Sequence, residues 1–139
     1  MIKSLAEMID EIEKQKTSAS QTKLLKKYAS AAMKSVVGYA MDPGVKFLLP
    51  PSDPPFRPMP DGSDAQGRLI SDHRKFIYFV DSPDGRSLSA IKREQMFIQM
   101  LESLDVRDAQ LLLRIKNKKL TIKMDAVKAA FPSLTAKWK

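Results

Sequence analysis

Apolar residues recur at three- and four-residue spacing through most of the chain, and that period predicts helices. Ile2, Leu5, Met8, Ile9 and Ile12 form one stripe, with Glu7, Asp10, Glu11 and Glu13 on the opposite face, so a first helix is expected over 2–14. A polar break follows at 14–20, where Ser18 or Ser20 can cap a second helix over 20–28, with Leu24, Leu25 and Tyr28 inward. A third helix over 30–41 buries Met33, Val36, Val37 and Ala40. Asp42-Pro43-Gly44 ends it, because proline removes a backbone donor and glycine accepts positive φ. Residues 45–49 are short and apolar and read as an extended piece or a single turn packed on the core.

Six of the nine prolines fall between positions 50 and 60, so 50–68 is expected to be a polyproline-like loop, longer than an ordinary connection. Helical periodicity resumes with Leu69, Ile70, His73, Phe76, Ile77 and Val80, predicting a helix over 68–81 and a turn at 81–85. A long helix over 88–104, started by Ser87, presents Leu88, Ile91, Phe97, Ile98, Leu101 and Leu104. Asp105 caps a helix over 106–116 with Leu111, Leu112 and Ile115 inward. After a basic turn at 116–119 and a short extended piece at 120–122, Asp125 caps a last helix over 126–131, which Pro132 stops. No segment alternates long enough to make a sheet. The expected fold is all-α, a single compact domain of about seven helices over 1–139 with a Pro-rich loop.

Composition removes most chemistry from this frame. With 139 residues, no Cys and one His, the chain has no thiolate metal site, no disulfide framework and no His-rich centre. Neither G-x-x-x-x-G-K-[ST] nor G-x-G-x-x-G occurs. His73 lies on an inward stripe and reads as a core or boundary histidine; Met96 and Met100 read as core filling. No cofactor, metal or catalytic constellation is expected, and the protein is read as a non-enzyme. The N-terminus lacks an apolar signal region and no run approaches a membrane span, so a cytoplasmic location without membrane contact is expected.

Charge adds a positive indication. The formal net charge is +8, and residues 106–139 carry nine basic side chains against Asp108 and Asp125. A one-sided cationic surface suits a polyanion. Arg114, Lys116, Lys118, Lys119, Lys123 and Lys128 surround the junction between the last two predicted helices, and Lys23, Lys26 and Lys27 form a second patch. Cations there can neutralise phosphates, and amides at the start of the following helix can face a phosphate oxygen. Aromatic residues are few and mostly inward. Trp138 is expected in a frayed tail, so duplex binding through the backbone fits better than single-strand binding. If six to nine cations engage, the log–log salt slope is roughly −5 to −8.

Some segments resemble a known family. Ile2, Leu5 and Ile9, the run Gln21-Thr22-Lys23-Leu24-Leu25-Lys26-Lys27, Val37-x-Tyr39-Ala40 leading into Pro43-Gly44-Val45-Lys46-Phe47, and the close Ala129-Ala130-Phe131-Pro132-Ser133-Leu134 resemble the N-terminal DNA-binding domain of ATP-dependent DNA ligases of tailed bacteriophages. That resemblance implies a helical domain that clasps nicked duplex DNA by phosphate contacts. The Phe47-to-Pro51 segment and the helix from Lys92 to Ser103 are also similar to a family of small phage proteins of unassigned function. Ligase chemistry requires a Lys-x-Asp-Gly nucleophile, and Ser82-Pro83-Asp84-Gly85 has serine in place of that lysine. The resemblance therefore implies binding without adenylation.

The resulting expectation is a non-catalytic phage protein, ligase-like, acting on double-stranded or nicked DNA in the cytoplasm of an infected bacterial host. The alternative is a protein-interaction factor that binds a phage or host replication, transcription or defence protein through the Pro-rich loop or an apolar helix face.

Overall fold

The computed structural model describes residues 4–50, 54, 56–57, 69 and 72–138. Ile2, Ile70 and most of the expected Pro-rich loop 50–68 lie outside the described residues. Within them the protein is all-helical, in the order α1 (Leu5–Glu13), α2 (Ser18–Lys27), α3 (Ala31–Met41), a 3-10 helix (His73–Phe79), α4 (Pro83–Arg86), α5 (Ala90–Ser103), α6 (Val106–Lys116), α7 (Met124–Ala130) and α8 (Pro132–Thr135). None of these helices is long and apolar enough to cross a membrane.

Local sequence explains most helix starts. Ser4, Thr17, Ser30, Ser82, Ser89 and Asp105 each accept a backbone N–H in the first turn of the helix that follows. Each such cap satisfies a donor the helix cannot pair internally, worth about 1 kcal/mol. Three caps differ from expectation. Thr17, and not Ser18 or Ser20, caps α2, and Ser89, not Ser87, caps α5. Asp125 lies in the first turn of α7 and does not cap it. Pro132 both ends α7 and opens α8, since its fixed φ and missing N–H suit the first helical position.

The segment after residue 68 is corrected more deeply. The expected α-helix is a 3-10 helix over His73–Phe79, with Phe76 and Phe79 buried and Ile77 only half-buried. Residues three apart eclipse in 3-10 geometry, so the inward face runs through 76 and 79. The neighbouring extended piece behaves as expected: Phe47 and Val80 form an isolated antiparallel bridge, with Leu48 N–H donating to Phe79 O and Asp81 N–H to Lys46 O, both at 2.8 Å. No strand longer than this bridge occurs among the described residues. Residues 83–86, expected as part of a turn, make one helical turn. There Gly85 is obligatory, because a Cβ would stand 2.0 Å from the Val80 carbonyl oxygen.

α3 lies centrally, packed on α6, α8 and the 3-10 helix; α1 packs on α2 and α6, and α2 packs on α7. Phe76, Phe79 and Phe97 are each 1% exposed, and burial of each such ring stabilises by about 1.5–3 kcal/mol. Edge-to-face pairs join Phe79 to Phe97 and Tyr39 to Phe76, with centroids 5.3 and 5.5 Å apart.

α5 keeps Phe97, Leu101 and Leu104 inward as expected and departs from expectation in its first turn. Ile91, expected inward, is 70% exposed, whereas Arg93 is buried. The Arg93 guanidinium donates to the carbonyls of Gly85 (2.8 Å), Leu88 (3.0 Å) and Leu48 (3.3 Å), tying α4 and the 45–49 segment to α5. Ile91 stands two residues away, near the opposite side of the helix.

Candidate nucleic-acid interface

The nine cations singled out from the sequence separate into two groups. Arg114, Lys116 and Lys118 are engaged by the protein itself, with Lys116 buried and the Arg114 side chain still 38% exposed. Arg114 Nη2 pairs with Glu13 Oε2 at 2.5 Å, Lys116 Nζ donates to the Pro50 carbonyl at 3.0 Å, and Lys118 Nζ donates to the carbonyls of Asp42 and Val45, each at 2.6 Å. The expected phosphate-gripping turn is thus an internal staple. Its two lysines bond carbonyls at the end of α3 and in the 45–50 segment, where the Asp42 carbonyl also accepts Val45 N–H at 3.1 Å.

The backbone of that turn accounts for the staple. Lys118 N–H bonds to Ile115 O at 3.1 Å and Lys119 N–H to Arg114 O at 2.9 Å, the two bonds of a Schellman close. Lys118 is the left-handed residue, with φ of 55°, a setting usually given to glycine. Gly44, by contrast, does not adopt positive φ. Burial lowers the Lys118 ammonium pKa, and the Asp42 charge partly opposes that shift.

Glu13 is the counterpart on α1. Its Oε2 accepts from Arg114, from Thr121 N–H at 2.7 Å and from Thr121 Oγ1 at 2.9 Å. Burial alone would raise its pKa, but the Arg114 and Thr121 hydrogen bonds and the Arg114 charge together hold it below the usual carboxylate value. Glu13 was placed on the solvated face by periodicity; it instead anchors α1 to the turn after α6.

The remaining six cations, Lys23, Lys26, Lys27, Lys119, Lys123 and Lys128, are exposed. Five of them belong to α2 or to the start and body of α7, two helices packed side by side. Gln21 Oε1 accepts Lys123 N–H at 2.9 Å, and Thr22 Oγ1 donates to Ala126 O at 3.4 Å, fixing the two helices together. Patches about a hundred residues apart in sequence thereby become adjacent. Among the described residues, no ion pair engages Lys23, Lys26, Lys27, Lys123 or Lys128; Lys27 lies 5.3 Å from the Tyr28 ring centroid. Asp125 is the acidic residue in these two helices. The start of α7 offers less to a phosphate than expected, because Gln21 takes the Lys123 amide and Asp125 brings a negative charge to the first turn.

Spacing along the chain did not reveal a neighbouring feature. Lys34 of α3 lies 5.7 Å over the Phe131 ring, just past α7. Beyond it, Tyr39, Trp138 and Lys137 help line a cleft between α3 and α8. Trp138, expected in a frayed tail, packs half-buried against the core, and its backbone N–H donates to Thr135 O at 3.0 Å. Lys34 is not marked by local pattern; only the folding of α7 and α8 onto α3 brings it to this surface.

His73 is half-buried, its Nδ1 2.8 Å from Ser35 Oγ, and burial, then the Arg74 charge, lower its pKa. Asp108 is fully buried; its Oδ1 accepts Ala6 N–H at 3.1 Å, while Oδ2 has no hydrogen-bond partner. Burial, with the charges of Asp105 and Glu7, raises its pKa to about 6 against the opposing Ala6 bond. Among the described residues no group of His, Asp and Glu is arranged to hold a metal ion.

Neither a curated protein nor a solved structure matches the chain. A family model does match, over residues 8–122, which spans α1 through the segment preceding α7. The chain therefore belongs to the family of unknown function DUF6433.

Proposed function

We propose that this protein is a non-catalytic DNA-binding module that holds duplex or nicked DNA by its phosphate backbone. The observation that carries the reading is the convergence of Lys23, Lys26 and Lys27 on α2 with Lys123 and Lys128 of the α7 region, exposed and without ion pairs among the described residues. Cations free of carboxylate partners can each displace one condensed counterion from DNA, and such contacts are independent of base sequence. The all-helical fold and the segments resembling the ligase N-terminal domain favour a ligase-like, phage-derived module acting in the host cytoplasm. The test is charge reversal. K26E combined with K128E weakens duplex binding at least tenfold in a mobility-shift titration at about 50 mM salt, by removing two phosphate contacts and adding two repulsive ones. An unchanged affinity rejects the reading.

A second reading, a protein-interaction factor, is favoured by a different observation. Leu49, Pro50, Pro54, Phe97 and Ile98 line a cavity of about 240 Å³, and Ile91 is exposed on the same helix as Phe97 and Ile98. A partner segment with an apolar side chain fits that surface. Pulldown from infected cells with full-length protein and with a deletion of 50–62 separates the readings. Loss of a captured partner on deletion, with capture indifferent to K26E/K128E, supports the interaction factor.

A further inference from the structure

The cleft between α3 and α8 differs in chemistry from the other cavities. The cavity beside Pro50 is lined by Phe97 together with the opposed charges Glu94 and Lys116. The one beside α1 is lined by Glu7, Asp10, Arg107 and Arg114 and has no ring. The α3–α8 cleft, about 380 Å³, combines two aromatic side chains, Tyr39 and Trp138, with two lysines, Lys34 and Lys137. Neither lysine makes an ion pair among the described residues. The lining carboxylate, Asp42, is occupied: its Oδ1 accepts Gly44 N–H at 2.8 Å, and the Lys118 ammonium bonds its carbonyl.

A second observation comes from Gly38, which also lines the cleft. Glycine inside a helix is unfavourable relative to alanine, so packing or function normally accounts for it. Packing does not require it here. A Cβ at Gly38 would meet Leu134 Cδ1 at 3.9 Å, an ordinary contact. What the missing side chain does is keep the α3 wall of the cleft open opposite α8.

We propose that this cleft takes one unpaired nucleotide of a nucleic-acid strand, with its base against the Trp138 and Tyr39 rings and its phosphate at Lys34 and Lys137. Planar bases stack on aromatic faces irrespective of identity, and a flanking phosphate needs cations without carboxylate partners. Lys34, over Phe131 at the end of α7, joins the cleft to the α2–α7 lysines. This inference rests on the proposed DNA-binding function and extends it to a nick, gap or single-stranded end.

Trp138 is the sole tryptophan, so its fluorescence reports on the cleft directly. Full-length protein is titrated with a blunt duplex, with the same duplex carrying a short thymidine tail, and with thymidine monophosphate. The tailed duplex is expected to quench Trp138 and to bind about tenfold more tightly than the blunt one. W138A abolishes that preference while blunt binding persists, and W138F retains most of it. K34E with K137E, both exposed positions, also reduces the preference. Equal affinity for tailed and blunt duplexes without quenching overturns the cleft assignment and leaves the duplex reading standing. Binding of the tailed duplex alone, with blunt duplex ignored, supports the cleft and rejects the duplex reading. Quenching by thymidine monophosphate as tight as by the tail overturns the strand assignment in favour of a free nucleotide.

Discussion

The ammonium of Lys118 donates to the main-chain carbonyl of Asp42 at 2.6 Å, from a residue whose own backbone is left-handed. Strain at one end of the side chain is thus balanced by two charge-assisted bonds at the other, to Asp42 and Val45. Non-glycine residues in this region carry a cost of about 1–2 kcal/mol, and each bond from a charged donor stabilises by about 1.5–3 kcal/mol. K118A keeps the strain and loses the bonds, and K118G loses the bonds but relieves the strain. Urea unfolding should therefore rank wild type above K118G, and K118G above K118A by about 1 kcal/mol. If K118A equals or exceeds wild type, the Lys118 staple is not stabilising.

Two carboxylates give the stability profile opposite limbs. Asp108 has its folded pKa raised from 3.8 to about 6, so its charge destabilises the protein above pH 6 and that penalty is relieved as the pH falls. Glu13 has its folded pKa depressed below 4.5, so its contribution is complete above that value and is lost as the pH falls through the folded pKa. His73, with its pKa lowered, opposes Asp108 over the same range, but the Asp108 shift is the larger, so stability should rise from about pH 7 toward pH 4.5 and drop below it. D108N flattens the upper limb, by on the order of 3 kcal/mol at most, and E13Q flattens the lower one. Denaturant titrations across this range check both, and an upper limb unchanged in D108N contradicts the assignment.

Gly85 and Gly38 are glycines for different reasons, and alanine separates them. G85A drives a methyl into the Val80 carbonyl, which belongs to the bridge with Phe47, and displaces the Gly85 carbonyl that Arg93 holds. A loss of about 2–3 kcal/mol is expected, read as a lower urea midpoint. G38A meets nothing closer than 3.9 Å and should raise stability by about 0.5–1 kcal/mol, while weakening binding of a thymidine-tailed duplex. A stabilised G38A with undiminished tail binding would show that the open wall serves no ligand.

Arg93 is buried without a carboxylate among its bonded partners, its three contacts being carbonyls. R93M removes a desolvated charge but strands the oxygens of Gly85, Leu88 and Leu48. The orphaned acceptors should dominate, costing about 3 kcal/mol, and R93K should recover only part, since an ammonium lacks the guanidinium fork. Thermal unfolding of the two variants checks this order.

The helices legible in the sequence are those decided by local signals. Asp105 announces α6, and the apolar stripes of α3 and α6 match the buried residues. The misread segments depend on small differences in period or on tertiary partners. A spacing of three or four after His73 leaves Phe76 and Ile77 both candidates for the inward face, and the 3-10 spacing selects Phe76 and then Phe79, which packs against Phe97. Arg93 reads as a solvated cation until its carbonyl partners are known. The candidate interface divides the same way. Exposure of Lys23, Lys26 and Lys27 follows from the α2 stripe. The engagement of Arg114, Lys116 and Lys118 by the protein itself depends on partners 101, 66 and 76 residues away. No local pattern records those contacts.

The salt dependence of duplex binding tests the central claim most directly. With Arg114, Lys116 and Lys118 engaged by the protein itself, the α2–α7 face offers Lys23, Lys26, Lys27, Lys123 and Lys128 to phosphate. A plot of log affinity against log salt should have a slope of roughly −4 to −5, reduced by about 1 for each of these lysines replaced by glutamine. K118Q should leave the slope unchanged. No duplex binding at about 50 mM salt, or binding indifferent to salt, would contradict the account.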